Sequence, residues 1–235
     1  MKGISSTAIV YAAGFGTRMG ELTQLMPKPL LHVGGKTLLD RALDVVSRAG
    51  IPRAVVNIHY RGDMVRHALK SRTSPKIIVS DESNLILETG GGLKNALQHF
   101  DAEAVLTLNS DIFWQGADPF QALSDHWNAE TMDALLLLAP VAQTADPQRK
   151  GDFELAPNGQ ISWPNPAKNA AFMYTGAQII KTEAFRNWPE QVFSTLRIWH
   201  KLLESSKCFG TVYQGTWLDV GDAKALALAN KLAAE

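Results

Sequence analysis

Residues 7–31 read TAIVYAAGFGTRMGELTQLMPKPLL, and they decide how the rest of the chain is understood. An apolar run from Ala8 to Ala13 stops at Gly14-Phe15-Gly16-Thr17-Arg18, and a polar loop leads on to Pro27-Lys28-Pro29-Leu30. A short β-branched run ended by paired glycines reads as a buried strand feeding a tight loop. Such a loop can hold an anion. Glycines at 14 and 16 can take positive φ at little steric cost, so successive N–H groups can turn toward a polyphosphate. Arg18 adds a planar fork matched to phosphate oxygens, and Lys28 adds a mobile point charge. Pro27 and Pro29 fix φ on both sides of Lys28, which predicts an extended backbone that presents the lysine.

Two familiar phosphate motifs are excluded. The dinucleotide fingerprint needs a third glycine after Gly14-Phe15-Gly16, and position 19 is Met19. Gly35-Lys36-Thr37 ends like a P-loop, but the glycine required five residues before Gly35 is Leu30.

Downstream, Thr37 to Ala49 carries Leu38, Leu39, Ala42, Leu43 and Val46 at helical spacing, with Thr37 as N-cap and Gly50 and Pro52 closing it. Leu30 to Val33, Arg53 to Ile58 and Lys76 to Val79 read as strands, and Gly62 to Lys70 as a helix. Strands alternating with helices predict an α/β fold, a largely parallel sheet with helices on both faces. Ligands then gather at the carboxyl ends of the strands, where the strand order reverses.

The motifs fall there. Glu88-Thr89-Gly90-Gly91-Gly92 precedes a helix expected over Leu93 to Phe100, and glycines opening a helix leave free N–H groups for a phosphate or a base edge. Ala104 to Leu108 is the clearest buried strand and ends in Asn109-Ser110-Asp111. A carboxylate at such a tip suits Mg²⁺, which takes one or two carboxylates and completes its shell with water and substrate phosphates. Ala117 to Ala129 reads as a helix and Asp133 to Val141 as an apolar strand. Two short strands around Asn158-Gly159 signal a hairpin, and Phe172 to Ile180 is a further strand. Ser194 to Glu204 reads as a helix with Leu196, Trp199 and Leu203 on one face. Phe209 to Tyr213 is a strand, followed by Trp217-Leu218-Asp219-Val220-Gly221-Asp222 and an Ala/Leu-rich helix with Asp222 as its N-cap.

With 235 residues the chain can build a sizeable core. Lys+Arg 23 against Asp+Glu 23 leaves no net charge, so nothing favours nucleic acid or a membrane surface, and phosphate recognition must be local. Cys208 is the only cysteine, which excludes an internal disulfide and fits a reducing cytosol. No apolar run reaches the length of a membrane span, and the expectation is a cytoplasmic protein. Oligomeric state, including a homo-oligomer, stays open.

A strand, then G-x-G-T-R, then P-K-P about ten residues later resembles the signature of the sugar nucleotidyltransferases, or nucleotide-sugar pyrophosphorylases. The T-G-G-G loop, the N-S-D strand end, the G-D-F hairpin and the W-x-D-V-G segment are similar to the same family, and the likeness covers nearly the whole chain. It implies a Rossmann-like mixed, mostly parallel sheet in one domain over 1–235, with 1–115 mainly serving the nucleotide and 116–235 the sugar phosphate. It implies nucleotide contacts from Ala12, Ala13, Gly14, Gly16, Thr17, Glu88, Thr89, Gly90, Gly91 and Asn109, and catalytic charge from Arg18 and Lys28. Asp111 and Asp219 would hold Mg²⁺, and Gly151, Asn165 and Thr175 would serve the sugar phosphate.

The implied reaction joins a nucleoside triphosphate to a sugar 1-phosphate and releases pyrophosphate. The short bacterial uridylyltransferases of cell-wall recycling, acting on N-acetylmuramic acid 1-phosphate, share the largest set of these features. Mannose-1-phosphate guanylyltransferases, phosphocholine cytidylyltransferases and a catalytically silent nucleotide sensor are the alternatives. One departure stands out. Many relatives carry a lysine for the sugar phosphate after the hairpin, where this chain reads Trp163-Pro164-Asn165-Pro166. Lys168, Lys150 and Arg149 are the basic residues available to replace it.

Overall fold

A computed structural model describes residues 3–144, 149–165 and 169–234. In chain order its strands are β1 (Thr7–Tyr11), β2 (His32–Val33), β3 (Lys36–Thr37), β4 (Arg53–Ile58), β5 (Lys76–Asp81), β6 (Ala104–Asn109), β7 (Ile112–Gln115), β8 (Ala134–Pro140), β9 (Glu154–Leu155), β10 (Ile161–Ser162), β11 (Phe172–Lys181), β12 (Cys208–Val212) and β13 (Thr216–Asp219). The helices are α1 (Leu22–Leu25), α2 (Leu38–Arg48), α3 (Gly62–Leu69), α4 (Glu88–Ala96), α5 (Pro119–Ser124), α6 (Glu183–Arg186), α7 (Leu196–Glu204) and α8 (Ala223–Leu232).

Seven strands form one sheet in the order β12-β8-β11-β6-β1-β4-β5. β11 runs antiparallel to both its neighbours and the other pairs are parallel, so the sheet is mixed and mostly parallel. Alternation along β1 separates two cores. Ala8 and Val10 pack with residues of α2, α3 and α5, while Ile9 packs on the opposite face with residues of α4 and α7. From β1 the chain builds outward through β4 and β5, then returns to the other side of β1 as β6. The order therefore reverses between β1 and β6, the place where ligands of such sheets bind.

Local chemistry explains the helix starts. Thr37 Oγ1 accepts the Asp40 N–H at 2.9 Å to cap α2, and Asp222 Oδ1 accepts the Ala225 N–H at 2.9 Å to cap α8. A third apolar cluster joins α8 to β2 and to an antiparallel ribbon of β7 and β13, through Val33, Phe113, Leu218 and Ala229. That ribbon leaves the main sheet and ends at Asp219.

Several elements differ from the sequence reading. Lys28–Leu30 is a 3₁₀ turn rather than extended chain, closed by Leu30 N–H to Pro27 O and Leu31 N–H to Lys28 O; only His32–Val33 is strand. The helix expected over Ala117 to Ala129 is reduced to α5, which begins where the Asp118 carboxylate accepts the Phe120 and Gln121 N–H groups just past Pro119. α4 starts at Glu88, so the glycines lie inside the helix. In α7 the buried face is Ile198, Trp199 and Leu202, because Trp199 Nε1 donates to buried Gln178 Oε1; Leu196 is exposed.

Candidate active site

The loop after β1 wraps over Lys28. Gly16 has φ 65°, and a Cβ there would sit 2.8 Å from Lys28 Cβ, so only glycine lets the lysine stem pass beneath. The Thr23 hydroxyl donates to Gly16 O at 3.1 Å, and the Phe15 ring stacks edge-on against His59, which fastens the loop to the start of α3. Lys28 is buried, and its Nζ lies 2.5 Å from Asp111 Oδ2.

The ribbon brings the two distant aspartates together. Asp219 stands opposite Ile112 in the β7–β13 register, and the Val220 N–H donates to Asp111 O at 3.0 Å. Positions 111 and 219 are thus neighbours across two strands. Asp219 Oδ2 also faces Arg149 Nη1 at 3.3 Å and Arg18 Nη1 at 3.9 Å. Arg18 lies against Gly221, where a Cβ would come within 2.7 Å of its Nη1.

Two cavities meet here. One, of about 310 Å³, is lined by Ala12, Ala13, Gly14, Gly16, Thr17, Arg18, Lys28, Glu88, Thr89, Asn109 and Asp111, all anticipated from sequence, and also by Tyr11, Asn57, Glu82 and Gly221. The other, of about 170 Å³, is lined by Arg149, Asp152, Tyr174, Gly176, Trp217 and Asp219, and it shares Arg18, Asn109 and Asp111 with the first. A triphosphate in the larger cavity and a phosphate in the smaller would approach each other at those three shared residues.

Five anticipated residues line neither cavity. Gly90 and Gly91 do not line the larger cavity, and their N–H groups are not free. Both donate to Phe193 O, at 2.9 and 3.0 Å, and a Cβ at Gly90 would lie 2.4 Å from the Phe193 ring. These glycines let the Gln191–Phe193 segment dock on the helix. Thr175 is buried, and its hydroxyl donates to Leu137 O at 2.7 Å, turned away from the site; a bulge in β11 presents Tyr174 and Gly176 instead. Asn165 is exposed and lines neither cavity. Gly151 does not line the smaller cavity, though nearby Arg149 and Asp152 do, and it is a place of close approach: a Cβ would lie 2.4 Å from Ala170 O. Of the three proposed replacements for the missing lysine, Arg149 faces the cavity, exposed Lys150 does not line it, and Lys168 lies outside the described residues.

Sequence reasoning missed Asn57, Glu82 and Asp152. Asn57 is the penultimate residue of β4, Glu82 follows β5, and Asp152 lies in the G-D-F run two residues ahead of β9, so strand-end position was the signal for the first two and the motif for the third. Burial pushes the Asp152 carboxyl above the usual carboxylate range, against the Tyr174 N–H it accepts at 2.9 Å and the charge of Arg149. Burial also holds the Tyr11 and Tyr174 phenols well above their ordinary value, so neither serves as a base at neutral pH.

A glycine loop, a buried lysine and two aspartates at the switch point of a mixed sheet define a nucleotidyltransferase of the sugar 1-phosphate class. The chain belongs to the family described as MobA-like NTP transferase domain, whose model matches residues 8–205. Over 234 residues it is 37% identical to the N-acetylmuramate alpha-1-phosphate uridylyltransferase of Caulobacter vibrioides, covering 97% of this chain and 95% of that one. It is 30% identical over 234 residues to the enzyme of the same name from Neisseria meningitidis serogroup B, covering 96% and 97%. Among solved structures, the inositol-1-phosphate CTP transferase from T. maritima superposes with a TM-score of 0.76 at 18% identity, over 100% of this chain and 97% of that one. Among the described residues, no helix is long and apolar enough to cross a membrane.

Proposed function

We propose that the chain transfers a uridylyl group from UTP to N-acetylmuramic acid α-1-phosphate and releases pyrophosphate. The meeting of the two cavities at Arg18, Asn109 and Asp111 is the observation that carries the two-substrate chemistry. The choice of substrates rests on similarity over nearly the full chain to two uridylyltransferases. In this reading residues 1–115 mainly serve the nucleotide and 116–235 the sugar phosphate, in the cytoplasm and in cell-wall recycling.

The sugar phosphate is its own nucleophile. With a second pKa near 6, a phosphate monoester is mostly dianionic at neutral pH, so no general base is assigned. Repulsion between the anions is the main obstacle: one like-charge pair at about 4 Å and an effective dielectric near 20 costs about 4 kcal/mol. Lys28 and Arg18 place fixed positive charge where the triphosphate enters, and Arg149 does so on the side of the sugar phosphate. Asp111 and Asp219 suit a hard divalent cation, being two carboxylate residues that line the same cavity. Bound there, Mg²⁺ would neutralise phosphate charge.

The test is a matrix of four nucleoside triphosphates against several sugar 1-phosphates with Mg²⁺, scored for pyrophosphate. UTP with N-acetylmuramic acid 1-phosphate should give the highest kcat/KM. A silent matrix, or another pair at least about tenfold better, overturns the reading. Arg149→Ala should raise KM for the sugar phosphate by about tenfold or more and leave that for UTP nearly unchanged.

A further inference from the structure

β1, β4 and β5 are adjacent parallel strands, and Asn57 stands opposite both Tyr11 and Ser80. One step past these partners, a short polar relay crosses the strand ends. The Ala12 N–H donates to Asn57 Oδ1 at 2.8 Å, Asn57 Nδ2 donates to Glu82 Oε1 at 2.8 Å, and the Leu87 N–H donates to Glu82 Oε2 at 3.1 Å. A backbone N–H can only donate, so the direction of every bond is fixed. Both side chains are only 3% exposed.

A buried carboxylate answered by neutral donors is an expensive choice, and an apolar pair of similar size would avoid the desolvation. What it delivers is geometry. One end of the relay grips the loop after β1; the other grips Leu87, just ahead of Glu88, whose φ of 59° is strained for a side-chain-bearing residue. Ala12 at one end, and Ile86 and Glu88 on either side of Leu87 at the other, line the larger cavity, yet the two ends are seventy-odd positions apart in sequence. The third glycine of the T-G-G-G run belongs to the same device. A Cβ at Gly92 would lie 2.9 Å from Glu82 Oε1 and 3.1 Å from Asn57 Nδ2, so α4 seats on the pair only with glycine there.

We propose that Asn57 and Glu82 are a positioning pair that holds the two walls of the nucleoside triphosphate cavity at a fixed spacing. The proposal rests on the nucleotidyl-transfer reading for the ligand's identity. The pair acts through backbone, not through the reacting atoms, and its polarity is readable. Glu82→Gln turns an NH₂ against either Asn57 Nδ2 or the Leu87 N–H, whichever way the amide lies. Asn57→Asp sets two carboxylates against each other at 2.8 Å. Made together, the substitutions restore every bond: the new aspartate accepts from Ala12 N–H and from the new glutamine, whose oxygen accepts from Leu87 N–H.

The experiment measures UTP binding by titration calorimetry, with Mg²⁺, for wild type, Glu82→Gln, Asn57→Asp and the double exchange, with thermal midpoints alongside. Each single substitution should weaken binding by about tenfold or more, and the double exchange should return to within about threefold of wild type. Gly92→Ala, which adds helix propensity while crowding the pair, should weaken UTP binding similarly. KM for the sugar phosphate should not move in any of them. Singles that bind like wild type, a double exchange as weak as the worse single, or singles that no longer fold would each overturn the proposal. If wild type binds none of the four nucleoside triphosphates the proposal also fails. If it binds UTP with this pattern but releases no pyrophosphate, the positioning pair stands and the transfer reading falls.

Discussion

Lys28→Met keeps most of the length and bulk of the lysine stem and removes only its charge. The wild-type side chain is 9% exposed and lies 2.5 Å from Asp111, at the place where the two cavities join. A cation about 4 Å from a phosphate oxygen, at an effective dielectric near 20, attracts it by about 4 kcal/mol. At about 1.4 kcal/mol per decade that is about three decades of rate if the attraction is felt wholly in the transition state. Part of it already acts on the bound triphosphate, so the expected loss in kcat is about 10²–10³. Stability should change far less, because a buried ammonium carries its own desolvation cost and Asp111 stays in contact with solvent. Asp111, freed of its cation, becomes a better metal ligand, so the Mg²⁺ concentration for half-maximal rate should fall. Steady-state pyrophosphate release with a Mg²⁺ titration reads both effects. A kcat within about threefold of wild type, or a Mg²⁺ requirement that rises, would refute this account of Lys28.

Thr175→Val removes only the hydroxyl bonded to Leu137 O; it should cost about 1 kcal/mol by thermal melting and leave KM for the sugar phosphate within about twofold. Gly90→Ala drives a Cβ to 2.4 Å from the Phe193 ring, and overpacking of that kind costs about 1–3 kcal/mol, read as a lower melting temperature without substrate. Asp152 has a raised folded pKa, so its charged form is disfavoured by folding: the penalty is absent below the unfolded value near 4 and complete above the raised one. The melting temperature of wild type relative to Asp152→Asn should therefore fall as pH rises from about 4 to 7, and a constant difference would contradict the burial argument. Stripping divalent cations with a chelator should abolish pyrophosphate release and adding Mg²⁺ back should restore it, measured in one continuous assay.

The parts legible in the sequence were those whose signal is local. The run ending at Gly14-Phe15-Gly16-Thr17-Arg18, the buried strand ending at Asp111 and the cap at Asp222 all declare themselves by residue type and spacing. Glycines were harder to interpret. Gly16 does take positive φ over Lys28, but Gly90, Gly91 and Gly92 are glycines for lack of room, and the atoms that exclude a Cβ belong to Gln191, Phe193, Asn57 and Glu82. Sequence adjacency cannot show such neighbours. The same holds for Thr175, whose strand was recognised but whose orientation depends on a bulge between Tyr174 and Gln178. A shift of register there exchanges which side chains face the cavity.

Charge balance at the junction follows from these placements. Among the described residues lining the smaller cavity, Arg18 and Arg149 face Asp111, Asp152 and Asp219, and Lys28 is paired to Asp111 from the larger cavity. Three cations therefore answer three carboxylates, and the protein alone offers two anionic reactants no net attraction where they must meet. A chain with no overall charge gains nothing from long-range steering either. In the proposed reading Asp111 and Asp219 would serve as metal ligands, while Asp152 accepts the Tyr174 N–H. A divalent cation on Asp111 and Asp219 would offset their charge, and Arg18, Lys28 and Arg149 would then be surplus positive charge directed at the triphosphate and the sugar phosphate.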